Sequence, residues 1–534
     1  MPLDTAIVGI ESAAQIPEDP MVSEAVETRT PRRQGRSRKR RDQAAESAQL
    51  PTLQRKIGPL EVLDKQGVER VHEASIRILE EFGIEFRDPE ALAYWRDAGA
   101  QVDGERVRIP GALLMDLVAK IPRSFTLHAR NPARNVEIGV PYTAFSPGYG
   151  APVVRDLQDQ RRDSTLADFH NYARLAYRAP AVHVTGGVLC EPMDVPVPKR
   201  HLRMLYGLIR ESDKPFVGMV TSRERAEDSI AMAETVFGKD FLETHPVLLA
   251  LCNGNTPLVW DKTMLDALKV YASRNQPVMC TPFIIAGVNT PASPAGAVAQ
   301  LNAEALAALA FGQLVRPGSP MIYGATVHVV SMKSGAPVSG GPESWLITLM
   351  IGQLARRYGL PWRISAGRTS ARCVDVYAGY ETAMNLVVQL LAGANIMLNA
   401  GGLIESGLVT SYAKLLLDFE QLEMLYRFAG GVGVGDLDEV LPMIGEVGPG
   451  GHHLGTAHTL ANFKEAFYIP QLHFVDSFEQ WTSEGAKDSN QRALERARDI
   501  LAKHQEPPID PGLDEALRDF VARREAELPD QMEG

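Results

Sequence analysis

The 534-residue chain has little cysteine, few aromatic residues and no long apolar run. Its four cysteines, Cys190, Cys252, Cys280 and Cys373, form no CxxC. So sparse a set excludes a disulfide framework and points to a reducing compartment. The most apolar part, 386–404, is interrupted by Gln389, Asn395, Asn399, Gly401 and Gly402, so no membrane span is expected. The N-terminus has no basic n-region leading into an apolar h-region, and no secretory signal is read there. No nucleophile elbow, P-loop or dinucleotide fingerprint occurs. Together these absences predict a cytoplasmic globular protein. One stretch, 29–41, carries eight basic residues and no acid, although the net charge is −11. With no matching folded face it reads as a solvated tail, and no nucleic-acid partner is expected.

What is present changes character along the chain. Residues 1–58, dominated by Pro, Ser, Gln and Arg, read as a disordered tail. Residues 59–140 read as a small α+β cap. It comprises a helix ending near Gly83, a helix after Asp88 and Pro89, a hairpin over 102–109, a helix over 111–120 and a strand over 125–129. Eight short apolar strands follow, at 143–147, 182–189, 215–220, 247–252, 277–281, 320–324, 362–366 and 395–398. Helical stretches alternate with them, at 165–178, 198–211, 222–237, 260–274, 293–315, 343–358, 376–392 and 411–429. Eight βα units whose strands lack polar alternation predict a (β/α)8 barrel, a TIM barrel, over 141–430. The competing doubly wound sheet would carry GxGxxG after its first strand, and none is there. Residues 431–534 read as a helical extension with a glycine loop at 448–453.

In such a barrel the C-terminal strand ends meet at one mouth. The stretch 320–342 delivers His328, Ser331 and Lys333 into a long small-residue loop. Other strand ends contribute Tyr149, Asn253, Tyr323, Arg368 and Glu405, and helix starts contribute Glu343 and Glu381. His452, in a glycine loop with no apolar helical face to satisfy it, is a further candidate. Each has a plain structural alternative: Arg368 pairing with Glu381 or Asp375, Glu381 capping its helix, His328 satisfied in the core. Cys252, Cys280 and His328 have the donors for zinc, but buried cysteine serves as well as a small hydrophobe. No metal is expected. Ser331 and Lys333 offer a nucleophile and base on a flexible loop.

Several short motifs then fall in a specific order. They are Asn253-Gly-Asn-Thr-Pro257, Thr281-Pro282 with Ala286-Gly287, Asn302-Ala-Glu304, Tyr323-Gly324, Pro342-Glu343, Arg357-Tyr-Gly-Leu-Pro361, Ala378-Gly-Tyr-Glu381, Gly401-Gly-Leu-Ile-Glu405, Tyr412-Ala-Lys414, and Gly451-His452 with His458-Thr459. In this order and spacing the chain resembles the trimethylamine methyltransferase family. The resemblance implies a (β/α)8 barrel that moves a methyl group from a methylated amine to the cobalt of a corrinoid. That corrinoid, a cobalamin-type cofactor, would be presented by a separate protein rather than bound tightly, and the enzyme would be a homo-oligomer. Founding members use pyrrolysine; this chain contains only standard residues and so resembles the branch acting on quaternary amines such as glycine betaine.

Leaving-group chemistry supports that branch. Trimethylamine would depart as an anion unless its nitrogen were protonated or bonded, whereas a quaternary ammonium departs as a neutral amine and needs mainly orientation. On this reading Tyr149 and Tyr323 would face the cation. Asn253 would line the substrate, and Arg368 or His328 would anchor a substrate carboxylate. Glu343, Glu381 or Glu405 would offset the ammonium charge, and His328 and His452 complete the reacting set. Demethylation onto tetrahydrofolate, or betaine binding without catalysis, are the alternatives.

Overall fold

Seven short strands curl into one parallel sheet in the computed structural model, which describes residues 49–530 apart from 474 and 476. They are β1 (Tyr142–Phe145), β2 (Phe216–Val217), β3 (Leu248–Gly254), β4 (Val278–Ala286), β5 (Met321–Val330), β6 (Trp362–Ser365) and β7 (Ile396–Leu398). Neighbours pair in the order β2-β3-β4-β5-β6-β7-β1, all parallel. The segment 182–187 lies between the two ends in extended but irregular form. Its His183 and Val184 amides donate to the Phe145 carbonyl, its Thr185 amide donates to Pro215, and Val217 donates back to Gly186, at 2.8–3.2 Å. The expected second strand is therefore present as a hydrogen-bonded strap and not as a regular strand. Positive φ at Gly186 marks its break, and a Cβ at Gly187 would meet the Tyr149 ring and Val217.

Eight helices cover the outside: α1 (Leu166–Arg178), α2 (Arg200–Glu211), α3 (Arg223–Phe237), α4 (Lys262–Ser273), α5 (Pro294–Val315), α6 (Pro342–Tyr358), α7 (Val376–Leu391) and α8 (Tyr412–Ala429). Six of their starts are fixed by side-chain caps, Thr165, Ser222, Asp261, Ser293, Asp375 and Ser411, each satisfying an amide the helix cannot. Among the described helices, α5 has the length and apolarity of a membrane span, and it is packed inside the protein.

Close approach of α6 to the turn after α7 depends on one residue. A Cβ on Gly352 would lie 2.3 Å from the Ala392 carbonyl oxygen and 3.2 Å from the Trp362 ring. Backbone cannot yield as a side chain can, so the clash outweighs the ~1 kcal/mol that alanine gains over glycine in a helix. Gly352→Ala is expected to destabilise the protein by about 1–3 kcal/mol, read as a lowered unfolding midpoint in calorimetry.

The cap is welded to this frame. Its helix Lys65–Arg77 and strand Ile84–Arg87 dock on α5 and on Val259–Asp261. Asn302 donates to Ser75 Oγ (2.8 Å) and Tyr358 OH (2.9 Å) and accepts from Tyr323 OH (2.9 Å). The hairpin of Ser124–Leu127 and Val136–Gly139 closes the lower end, with Leu127, Val136 and Ile138 in the same core as the inward strand residues.

Packing begins earlier than the composition suggests. Leu53–Gln54 pairs antiparallel with β1, and Arg55 donates to the Tyr142 and Ala394 carbonyls. The expected tail is thus folded from about Leu50; residues 1–48, with the basic stretch 29–41, lie outside the described residues. At the other end Ser489–Ala502 packs on α8 and α1, and Pro511–Glu527 on α2 and α3. The intervening helices Leu437–Val447, Ala457–Asn462 and Phe478–Ser483 bury none of their residues in this chain.

Candidate functional site

Strand parity sorts the interior. Successive side chains point to opposite faces, and Leu249, Leu251, Met279, Ile322, Ile396 and Leu398 form the inner core with the lower hairpin. Continuing the same parity upward brings Asn253 on β3, Thr281 and Phe283 on β4, Gly324, Thr326 and His328 on β5, and Arg363 and Ser365 on β6 to the inner face. The registers Asn253 to Thr281, Phe283 to Thr326 and Gly324 to Arg363 set them side by side. Gly324 is required there: a Cβ would lie 2.2 Å from Thr281 Oγ1 and 2.7 Å from the Cys280 carbonyl.

Above the apolar floor the site is cationic without a counter-charge. Arg363 is 1 % exposed. Its Nη1 donates to the Ala325 carbonyl and to Thr326 Oγ1, both at 3.0 Å, while Nε is buried with no partner. Half-buried Arg368, on the loop after β6, donates from Nη1 to His328 Nε2 (3.2 Å), and its Nε is likewise unpartnered. Among the described residues neither arginine pairs with a carboxylate. Burial, and then Arg368, push the Arg363 guanidinium down to about 9; burial brings Arg368 down to about 10. His328 is pushed down to about 3, by burial and then by Arg368. Since a guanidinium only donates, Nε2 must accept and the neutral ring carries its proton on Nδ1.

Two aromatic rings complete the wall. Phe283 lies 5.2 Å from the His328 ring centre. Tyr149 lies over Gly187 and is close enough to Arg363 for the two to affect each other's ionisation. Burial raises the Tyr149 phenol well above its ordinary value. Asn253 is exposed at the mouth. The loop after it is tied to buried Glu304, which accepts from Thr256 Oγ1 (2.6 Å) and the Leu258 amide (2.9 Å). Arg368 is aimed from behind: Asn385 Nδ2 donates to its carbonyl at 2.9 Å and is itself held by Trp345.

The structure therefore gathers Tyr149, Asn253, His328 and Arg368 and leaves the other candidates elsewhere. Tyr323 has outward parity, is fully buried and spends its hydroxyl on Asn302, so it offers no face to a cation in the mouth. Glu381 is 2 % exposed and accepts from Thr369 Oγ1 (2.6 Å) and the Ser370 amide (2.7 Å); it fixes the loop that carries Arg368. Glu405 pairs with Arg161 at 3.2 Å. Glu343 is exposed on the first turn of α6, and His452 is exposed with no hydrogen bond or ion pair among the described residues. Cys252 and Cys280 lie side by side on outward parity, opposite to His328, and burial raises both thiols. The three do not assemble a zinc site. Ser331 and Lys333 stand in the turn between β5 and Pro337–Val338.

Arg363 and Phe283 were not among the expected residues. The signal for Arg363 is a lone charge inside the apolar strand Trp-Arg-Ile-Ser. A cavity of about 480 Å³ opens between α1, α2 and the last helix, remote from this mouth. Its arginines are paired, Arg174 with Glu211, Arg210 with Glu506 and Arg518 with Asp514, so it reads as a seam holding the C-terminal helix.

A family model for trimethylamine methyltransferase matches residues 29–529. A glycine betaine methyltransferase of Desulfitobacterium hafniense (strain Y51) is 40% identical over 471 residues, 88% of this chain and 98% of that protein. A proline betaine:corrinoid methyltransferase of Eubacterium limosum is 28% identical over 416 residues, 76% of this chain and 85% of its own length. In the solved structure of the hydroxylamine complex of MtmB, a chain 12% identical superposes with a TM-score of 0.50 over 87% of this chain and 97% of that one. That likeness concerns the fold: an α/β architecture around a curled sheet.

Proposed function

The chain belongs to the trimethylamine methyltransferase family, and on that premise we propose that it moves a methyl group from a quaternary amine to the cobalt of a corrinoid carried by a separate protein. The observation that carries this reading is that, among the described residues, no carboxylic acid or imidazolium is set at the mouth to protonate a leaving amine; Glu191, near Tyr149, is turned to Arg200. His328 is held neutral beside a guanidinium, Glu381 and Glu405 are engaged elsewhere, and Glu343 and His452 stand outside. A leaving amine must therefore depart neutral without taking a proton from the site, which a quaternary ammonium does and unprotonated trimethylamine does not. In this role Tyr149 faces the ammonium, Asn253 borders it, and Arg368 and His328 lie at the opposite wall.

The corrinoid, when docked, supplies the nucleophile for the displacement. The rim fits a large partner: Val288, Met332 and Leu408 stand exposed after β4, β5 and β7, and Val376 at the start of α7. We read the frame as a (β/α)8 barrel over 141–430 whose eighth position is the 182–187 strap. Its hydrogen bonds to both neighbours support closure. The cap over 59–140 and the extension over 431–534 are read as accessory. The extension's middle helices, which bury nothing in their own chain, support a homo-oligomer, and the cysteine content supports a cytoplasmic protein.

The test is an anaerobic assay of methylcobalamin formation from cob(I)alamin with glycine betaine, proline betaine, carnitine, choline and trimethylamine. At least one quaternary amine is expected to react, with trimethylamine below about one hundredth of its rate, since ~2.7 kcal/mol of barrier suffices for that ratio. Turnover of trimethylamine alone would overturn the reading.

A further inference from the structure

We infer that the stretch 431–478 is an arm whose outer face is covered by the same face of a second copy of this chain. The choice of occupant rests on the homo-oligomer proposed above, and nothing in it depends on the methyl transfer. Both ends of the arm are tied to one helix. It leaves α8 at Ala429, and Arg427 Nη2 donates to the Ala466 carbonyl at 3.3 Å. It returns where Tyr468 OH donates to Glu423 (3.2 Å) and the Leu472 amide to Glu420 (2.7 Å). Among the described residues of 431–478, Leu472 alone is buried.

Composition sets this arm apart from an ordinary surface loop. Twelve large apolar residues between 431 and 478 are 49 % to 91 % exposed. At about 120 Å² apiece they leave roughly 1,400 Å² of apolar surface open. Half of that in one patch would exceed the roughly 300–600 Å² of the largest patch on an ordinary monomer, and it approaches the ~800 Å² per partner of a standard interface. The helix Leu437–Val447 shows the reason. Leu437, Leu441 and Ile444 follow at helical spacing and are exposed, while Val440, Met443 and Val447 on the adjoining side are half-buried. A helix apolar on both stripes belongs between two bodies. Met424 and Phe428, one turn apart on α8 where the arm begins, are exposed as well.

Three occupants compete, and chemistry favours one. Helices that lie on membranes are rich in lysine and arginine, whereas 431–470 holds five acids against one lysine. A corrinoid protein that docks and departs at each turnover would leave the surface bare between visits, and strongly apolar contacts belong to permanent partners. A second copy carries the same stripe and, about a twofold axis, covers both arms in one isologous contact. His452, on the same arm, is then a residue of the contact between subunits rather than of the mouth.

The experiment is sedimentation velocity of the full chain without any corrinoid protein, over a range of protein concentrations. The parent is expected to contain an even number of chains. Leu441→Asp combined with Ile444→Asp, both at exposed positions, is expected to halve the mass and raise the dissociation constant about 100-fold or more. Phe467→Asp is expected to weaken association about tenfold, and Phe82→Asp, equally exposed but on the cap, to leave the mass unchanged. Hydrogen exchange on the parent gives a reading free of substitutions: amides of 437–447 should exchange more slowly as protein concentration rises.

A parent that stays a single chain would overturn the arm contact and the homo-oligomer together. An assembly whose mass survives the double substitution would leave the homo-oligomer standing and sink the arm contact. An odd number of chains would exclude the twofold arrangement, and dissociation by Phe82→Asp would move the contact elsewhere. Protection of 437–447 that appears only with phosphatidylglycerol vesicles or a corrinoid protein would give the arm to that occupant instead. If the double variant fails to fold, Phe467→Asp and exchange on the parent decide. An assembly held by the arm without methylcobalamin formation would sink the proposed reaction and leave this contact standing.

Discussion

Lys414→Met is expected to destabilise the protein by about 3–5 kcal/mol, the cost of leaving one member of a buried ion pair alone. Lys414 and Asp418 are 2 % and 1 % exposed, one helical turn apart on α8. The ammonium donates to both carboxylate oxygens at 2.5 and 2.6 Å and to Thr382 Oγ1 at 2.9 Å, and Asp418 also accepts from the Gly402 amide at 2.8 Å. Burial already raises the Asp418 carboxyl above its usual value against the pull of Lys414. Without the lysine it rises further and is protonated in the folded state. For a carboxyl raised in this way, the folded form is favoured at low pH and loses ground as pH rises through the folded value. The gap between variant and parent should therefore narrow from pH 7 to pH 5 in urea unfolding. Adding Asp418→Leu should recover part of the loss, and the unsatisfied Gly402 amide the remainder of the deficit. A single variant as stable as its parent at pH 7 would mean that the pair is hydrated.

The frame was legible for a reason that also hid part of the site. Runs such as Leu-Leu-Ala-Leu-Cys and Val-Met-Cys are apolar throughout because helices cover one face and the interior of the curled sheet the other. They announce strands and, with caps such as Ser222 and Asp375, the helices between them. The same lack of alternation erases the difference between inside and outside. Tyr323 and Thr326 look equivalent in sequence, yet one faces α5 and the other the mouth. Arg363 was concealed likewise: a charge in a strand has meaning only once register puts it beside Gly324. The acids were misplaced for a different cause. Glu381 and Glu405 sit where a site would want them, but Glu381 is taken by Thr369 and Ser370 on the loop before its own helix, and Glu405 by Arg161 on a strand far off in sequence. The segment 49–58 escaped because its few apolar residues, Leu50, Leu53 and Ile57, show no strand alternation, and the pairing of Leu53 with β1 is to a partner far off in sequence.

Tyr149→Ala is expected to raise KM for the quaternary amine about 30-fold while leaving kcat within about threefold, from a cation–π contact worth ~2 kcal/mol when shielded from water. The split follows from where the charge goes. In the bound ground state nitrogen carries a full positive charge; as the carbon–nitrogen bond breaks, that charge is lost to the departing neutral amine. An aromatic face therefore binds the substrate at least as well as the transition state, and its removal appears in KM. Tyr149→Phe keeps the face and should behave nearly as the parent. The phenol, raised by burial, stays neutral over the working range, so neither variant should move the pH profile. A hundredfold fall in kcat at unchanged KM would instead make Tyr149 an orienting residue, whose contact matters most as the methyl group moves. No change in either constant would remove it from the site and leave the ammonium to Phe283, the other aromatic ring that the inner strands bring to the mouth.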